Sequence, residues 1–184
     1  MPRPADVPIP DSPQYPYPII TDYCEIVCGF GRGSSELGIP TANVQFNELP
    51  DAIENLPLGV FFGFAQLAES GPGDVKNCQR PDGTRVHFNF GQRLAESDLN
   101  VLPVVLSIGL NPFYHNKAKT VELHIMHEFK HDFYGAKVKF SILGYIRPEL
   151  DYTTREALID DIHTDIDIAK SVLSKPQYAK HSSF

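Results

Sequence analysis

The sequence predicts a mainly β domain, a small closed or nearly closed antiparallel barrel, with one amphipathic α-helix at its C-terminal end. Three observations predict it. Seven short apolar runs rich in β-branched and aromatic residues are bounded by Gly, Pro, Asn and Asp, as strands separated by turns are. Helical periodicity appears convincingly in the last element alone. Successive antiparallel strands leave unpaired edges that closure removes, and the helix must then pack on the sheet or across its opening.

Residues 1–18 hold seven of the chain's 16 prolines. Each removes a backbone donor and fixes φ, so the stretch is unsuited to a helix interior or a sheet centre. It reads as an N-terminal arm packed against a domain spanning residues 19–184, with Tyr15, Tyr17, Ile19 and Ile20 as its adhesive side chains. A Pro-rich recognition peptide has the same composition. The strands fall at 23–29, 42–46, 60–67, 85–90, 101–109, 120–127 and 136–147. Between the third and fifth, Pro81, Asp82 and Gly83 carry turn chemistry, so residues 71–85 form a protruding hairpin or loop. In the final element Leu158, Ile162, Ile166, Ala169 and Leu173 recur on one helical face, with Asp160, Asp161, Asp165 and Asp167 largely off it. Thr153 with Glu156 makes a capping-box start, and Lys175 with Pro176 closes the helix.

A length of 184 residues suits one domain. Sixteen Lys plus Arg against 23 Asp plus Glu give a net charge of -7, which argues against an electrostatically driven nucleic-acid partner. No run approaches the roughly 18 apolar residues of a membrane span, so the sequence predicts a soluble protein. The three cysteines are odd in number, and Cys24 and Cys28 in one strand would stand about 13 Å apart at ~3.3 Å per residue, too far for a disulfide. A reducing compartment such as the cytoplasm is expected, and the first ten residues lack the apolar core of a secretory signal.

Gly29, Gly31 and Gly33 let the backbone bend and bring N–H groups close to phosphate oxygens, with Arg32 adding positive charge. A glycine-rich turn between strands looks the same. Thr41 and Asn43 alternate onto one face of a strand, presenting a hydroxyl and an amide oxygen suited to a hard cation, or to satisfying a turn. Parity in 120–127 puts Val121, Leu123 and Ile125 on one face and Glu122, His124 and Met126 on the other. Glu122 could serve as a general base, costly if that face is the barrel interior, or simply face solvent. The spacing of His124, His127 and His131 invites a zinc site only on a helix, and the alternation specifies a strand. Five lysines lie between Lys117 and Lys139 against three acids, a local basic field for an anionic substrate or a solvated face.

Residues 29–44 (GFGRGSSELGIPTANV), 107–112 (SIGLNP), 120–135 (TVELHIMHEFKHDFYG) and 144–148 (GYIRP) together resemble the signature segments of riboflavin kinase, in the monofunctional eukaryotic form. The resemblance runs from about Gly29 to the terminal helix. It implies a six-stranded Greek-key barrel with a C-terminal helix, and transfer of the ATP γ-phosphoryl group to the 5'-hydroxyl of riboflavin, giving FMN and ADP. By the same resemblance, Thr41 and Asn43 hold a divalent metal, Mg²⁺ or Zn²⁺, with the ATP phosphates, and Glu122 is the catalytic carboxylate. The 29–33 stretch is the phosphate arch, 111–120 a flap near the flavin, and the last helix borders the flavin cleft. His127 and Tyr134 fall in the segment lining the nucleotide site. One departure stands out: relatives commonly carry Lys where this chain has Ser35. With one domain to serve ATP, metal and flavin, a monomer is expected. A flavin- or nucleotide-binding barrel without catalysis is the alternative.

Overall fold

Alternating side chains need somewhere to bury one face, and here the strands wrap around that face. The structure, a computed structural model, describes residues 8–27, 41–70, 77–79, 85–110, 119–150 and 154–184. The strands are β1 (Ile19–Ile20), β2 (Cys24–Val27), β3 (Ala42–Val44), β4 (Gly59–Ala68), β5 (Asn77–Gln79), β6 (Arg85–His87), β7 (Leu102–Leu110), β8 (Lys119–Ile125), β9 (Lys137–Ile142) and β10 (Gly144–Pro148). Three α-helices join them: α1 (Asp51–Glu54), α2 (Arg155–Leu173) and α3 (Pro176–Ala179).

Six strands close in the order β9-β2-β3-β8-β7-β4, and β4 pairs again with β9. Every pairing is antiparallel. β4, β7 and β8 follow one another while β9 returns to lie beside β4, which is a Greek key. The expected six-stranded barrel is therefore present. β1 extends one side of β9, β10 one side of β4, and β5 pairs with β6 as a separate hairpin in the predicted insertion. Residues 80–84, where the turn is predicted, lie outside the described residues.

Residues two apart fill the barrel: Ile26 from β2, Ala42 and Val44 from β3, Leu106 and Ile108 from β7, Val121 and Leu123 from β8, Val138 and Phe140 from β9. A second apolar cluster lies outside the wall. There Val60, Phe62 and Phe64 of β4, Val105 of β7 and Ile146 of β10 meet Ala169, Val172 and Leu173 of α2 and Tyr178 of α3. The helix thus packs on the wall rather than across an opening, and β4 is buried on both faces.

Several expectations need correction. The predicted strand 136–147 is two strands, because at Leu143 the chain transfers its apolar side chains from the inner cluster to the outer one while continuing to pair with β4. The predicted strand 85–90 ends at His87, since Phe90 takes a positive φ of 58° and pairs its amide with the Tyr134 carbonyl. Opposite it, Gly135 sits at φ 84°, and a Cβ there would lie 2.6 Å from the Phe90 ring, so this turn requires glycine. Helix α2 is capped by Thr154, not Thr153: its hydroxyl accepts the Ala157 amide at 3.1 Å. Pro176 opens α3 at its first turn after Ser174 ends α2.

The largest correction concerns Asp165. The helical wheel puts it off the apolar stripe, yet it is 1 % exposed, between Ile162 and Ala169 on the buried face. Its carboxylate takes a bidentate contact from Arg147 of β10, with Nε at 3.0 Å and Nη2 at 2.8 Å from its two oxygens. Arg147 is 4 % exposed. A charge-assisted, two-point clamp therefore joins helix to barrel inside the outer cluster.

The N-terminal stretch is attached to the same side. Ile9 packs on the outer cluster, the Tyr178 hydroxyl donates to the Pro10 carbonyl at 2.7 Å, and Lys175 lies 3.6 Å from Asp11. Cys24 faces the barrel core, donates to the Val138 carbonyl, and is pushed up to about 12 chiefly by burial, so it is an inert thiol.

Candidate active site

Register decides which polar side chains meet. Asn43 of β3 pairs with Glu122 of β8, and Glu122 pairs with Ser107 of β7. Their neighbours Ala42, Val44, Val121, Leu123, Leu106 and Ile108 all fill the barrel, so the three polar residues alternate to its outer wall. This settles the face of Glu122: outside the barrel, not within it. Thr41 joins the row by hydrogen bonding its side chain to the Glu122 carboxylate. Glu122 is half-buried, and burial pushes its carboxyl above the ordinary value of 4.5, against the opposing effect of the Thr41 hydrogen bond. A carboxylate with raised proton affinity beside two neutral oxygen donors is suited to accept a proton from an alcohol.

The row has two ends. Toward one, β2 ends at Val27, Thr41 precedes β3, and β8 ends at Ile125 with His127 just beyond. The Gly135 amide donates to the Ile26 carbonyl at this same end. Gly29, Gly31, Arg32 and Gly33 themselves, and Ser35, lie outside the described residues. Toward the other end, Leu110 and Lys119 flank the segment 111–118, also outside them. Here the Glu149 carboxylate lies against Gly109, where a Cβ would come within 2.7 Å of Oε1. Glycine at 109 gives that carboxylate its place two residues from Ser107 on the outer face of β7.

Thr41, Asn43 and Glu122 are thus brought together, and His127 and Tyr134 are not. Glu122 stands about 10 Å from the end of β8 at ~3.3 Å per residue, with His127 beyond it. His127 Nε2 meets Asp98 Oδ1 at 2.7 Å, in a turn just ahead of β7. Tyr134 stacks on Phe88 with ring centroids 5.9 Å apart. Burial alone would raise the Asp98 carboxyl, but the Ala95 amide and His127, with Lys130 nearby, hold it below the ordinary range. Ser107 and Asp98 escaped the sequence reading: Ser107 is chemically unremarkable until register sets it opposite Glu122, and Asp98 is 29 residues from its partner.

His124 and His127 do not converge. His124 is buried on the outer face of β8, where burial lowers its pKa to about 4. In the unfolded chain the ring titrates near 6.5. Between these values the unfolded state binds a proton that the folded state refuses, so stability falls as pH drops from about 6.5 to 4 and is fully present above 6.5. The loss attributable to this ring is about 3 kcal/mol at 1.36 kcal/mol per unit. Urea titrations across that range should show a shallower pH dependence in His124→Gln than in the parent; equal slopes would contradict it.

Lys119, Lys137 and Lys139 do not form one field either. Lys119 donates to the Glu54 and Leu56 carbonyls and lies over the Phe46 ring, while Lys137 pairs in register with Glu25 and Lys139 sits over Phe184. β8 and β9 are not neighbours in the barrel, so lysines close in sequence separate in space. Lys117 is outside the described residues.

Among the described residues no helix is long and apolar enough to cross a membrane. A Greek-key barrel with a half-buried carboxylate on its outer wall, in register with an amide and a hydroxyl side chain, offers groups suited to phosphoryl transfer onto an alcohol, as a small-molecule phosphotransferase requires. A family model for riboflavin kinase, Flavokinase, matches residues 17–173. Riboflavin kinase of Candida glabrata is 60% identical over 97% of the chain and 95% of its own length. That of Saccharomyces cerevisiae is 60% identical over 96% of the chain and 82% of its own length. The crystal structure of riboflavin kinase from Trypanosoma brucei is similar with a TM-score of 0.60 and 29% identity, covering 90% of this chain and 85% of that one. The chain belongs to the riboflavin kinase family.

Proposed function

We propose that the chain transfers the γ-phosphoryl group of ATP to the 5'-hydroxyl of riboflavin, giving FMN and ADP, with Glu122 as general base. The observation that carries this is the half-buried Glu122 carboxylate, its proton affinity raised and its position held by Thr41, in register with Asn43 and Ser107. An alcohol must lose its proton as it attacks phosphorus, and one positioned carboxylate can accept it. Phosphoryl transfer asks otherwise for positioning and for neutralised phosphate oxygens. Gly29, Gly31, Gly33 and Arg32 supply N–H groups and charge to the phosphates, and either Arg32 or a lysine from elsewhere takes the place of the Lys that Ser35 stands for. His127 and Tyr134 line the nucleotide side. As the resemblance implies, the 111–120 flap and the last helix border the flavin.

The metal reading rests on the donor set. Thr41 offers a hydroxyl whose lone pairs remain after it donates to Glu122, and Asn43 an amide oxygen, which fits Mg²⁺ better than Zn²⁺. A cation bound there with the ATP phosphates would screen their charge. Thr41→Ala and Asn43→Ala should each raise the Mg²⁺ concentration for half-maximal rate by about tenfold, the worth of one lost ligand near 1.4 kcal/mol; an unchanged requirement would remove that residue from the metal site. The division into an arm of residues 1–18 and a domain of 19–184, a monomeric state and a cytoplasmic location belong to the same reading.

Incubation with riboflavin and Mg-ATP, followed by chromatography, tests the proposal by the appearance of FMN. Flavin binding without FMN would support a non-catalytic binding barrel instead.

A further inference from the structure

We infer that Ser107 is a specificity-determining residue on the acceptor side of Glu122: its hydroxyl binds the hydroxyl next to the one that reacts, so the site reads a terminal vicinal diol rather than a lone primary alcohol. The inference rests on the reading above that Glu122 takes the proton and that Thr41 and Asn43 face the phosphates.

Glu122 meets different chemistry on its two sides. On the β3 side Asn43 stands directly opposite, and the Thr41 side chain hydrogen bonds to the carboxylate. On the β7 side the residue directly opposite is Ser107, on the same outer face. The next partner in that direction is Val60 of β4, which belongs to the apolar cluster beneath α2. Ser107 is therefore the last polar side chain of the row among the described residues. It is half-buried, and among the described residues its hydroxyl has no hydrogen-bond partner. The side-chain hydrogen bond to Glu122 comes from Thr41, so the carboxylate does not occupy it. A partly desolvated hydroxyl without a partner costs free energy that a ligand hydroxyl recovers.

In phosphoryl transfer the attacking and leaving oxygens lie roughly in line through phosphorus. With the phosphates on the β3 side of Glu122, the alcohol enters from the β7 side, over Ser107. Side chains directly opposite on neighbouring antiparallel strands have Cβ atoms about 4.5–5.5 Å apart. Two groups at that separation can each reach one of two hydroxyls on adjacent carbons at the usual ~2.7–2.8 Å. Glu122 takes the proton of the terminal hydroxyl, while the Ser107 hydroxyl, a donor and an acceptor at once, holds its neighbour. On riboflavin these are the 5'- and 4'-hydroxyls of the ribityl chain. Holding the second hydroxyl stops rotation about the bond that carries the first, so the attacking oxygen is aimed before the chemical step.

Riboflavin and 4'-deoxyriboflavin, each assayed with the parent and with Ser107→Ala, test the inference. The parent should use 4'-deoxyriboflavin with a kcat/KM about tenfold below that for riboflavin, and Ser107→Ala should lose about tenfold on riboflavin but nothing further on the deoxy acceptor. Ser107→Thr keeps the hydroxyl and should restore the preference. The KM for Mg-ATP and the melting temperature should stay at parental values in both variants. A parent that treats the two acceptors alike, a Ser107→Ala variant that still prefers riboflavin tenfold, or a loss in that variant matched by a rise in the KM for Mg-ATP would each overturn the inference. If no FMN forms, calorimetric titration with the two flavins repeats the comparison. A binding preference that Ser107→Ala abolishes upholds the contact and leaves the fault with the kinase reading alone; no preference, or no binding, overturns the inference.

Discussion

Glu122→Gln should leave Mg-ATP and riboflavin binding close to normal while lowering kcat by about 10²- to 10⁴-fold. Gln matches Glu in shape and can keep a contact with Thr41, but it cannot take the proton of the 5'-hydroxyl. The loss should therefore appear in turnover rather than in KM. In the parent enzyme the active form is the ionised carboxylate. Its pKa is raised by burial, so the rate should fall as pH drops through a value above the ordinary 4.5. Thr41→Val removes the hydrogen bond that favours ionisation and should move this acid limb to higher pH. Single-turnover kinetics across pH provide the measurement. Near-parental kcat in Glu122→Gln would exclude Glu122 as the base.

Asp165→Ala should cost about 3–5 kcal/mol of folding stability, because it leaves the Arg147 guanidinium buried without its bidentate partner. Arg147→Met should cost a comparable amount by stranding the carboxylate. The double variant Arg147→Met with Asp165→Leu should recover most of the loss, since apolar side chains can fill the same volume between β10 and α2. Urea midpoints of the parent, Arg147→Met, Asp165→Leu and the double variant give the coupling directly. Additive losses would show that the clamp is not a closed pair.

A small barrel was legible because β-branched alternation and turn residues mark strands locally, whereas its six-stranded Greek-key order was implied only by the resemblance to riboflavin kinase. Parity set Glu122 apart from the apolar row of its strand but left it equally a solvent-facing residue; the resemblance to riboflavin kinase singled it out, and which face it occupied required the partners of β8. Asp165 was misread for a physical reason: a helical wheel counts apolar residues, and a carboxylate on the buried stripe breaks the pattern unless its cation, 18 residues away on another element, is known. Of the two readings of the lysines in this stretch, one field or a solvated face, Lys119, Lys137 and Lys139 do not support the first. Proximity in sequence suggested one field, but strands that are not neighbours carried them apart. The Asp98–His127 pair left no signal at all, since neither residue departs from what an exposed turn normally contains.

The double-sided burial of β4 has a consequence in time. Its sequence, GVFFGFAQLA, is apolar on both faces, low in charge and free of proline, the composition of a segment that self-associates when uncovered. The cover for its outer face, Ala169 to Leu173, is made about 100 residues later. At roughly 5–20 residues per second, a nascent chain carries this strand half-covered for on the order of 5–20 s before the helix is synthesised. Chains that stop short of α2 would keep that surface permanently. Holding by a chaperone, or aggregation of truncated forms, is the expected fate of such chains, whatever the state of their catalytic residues.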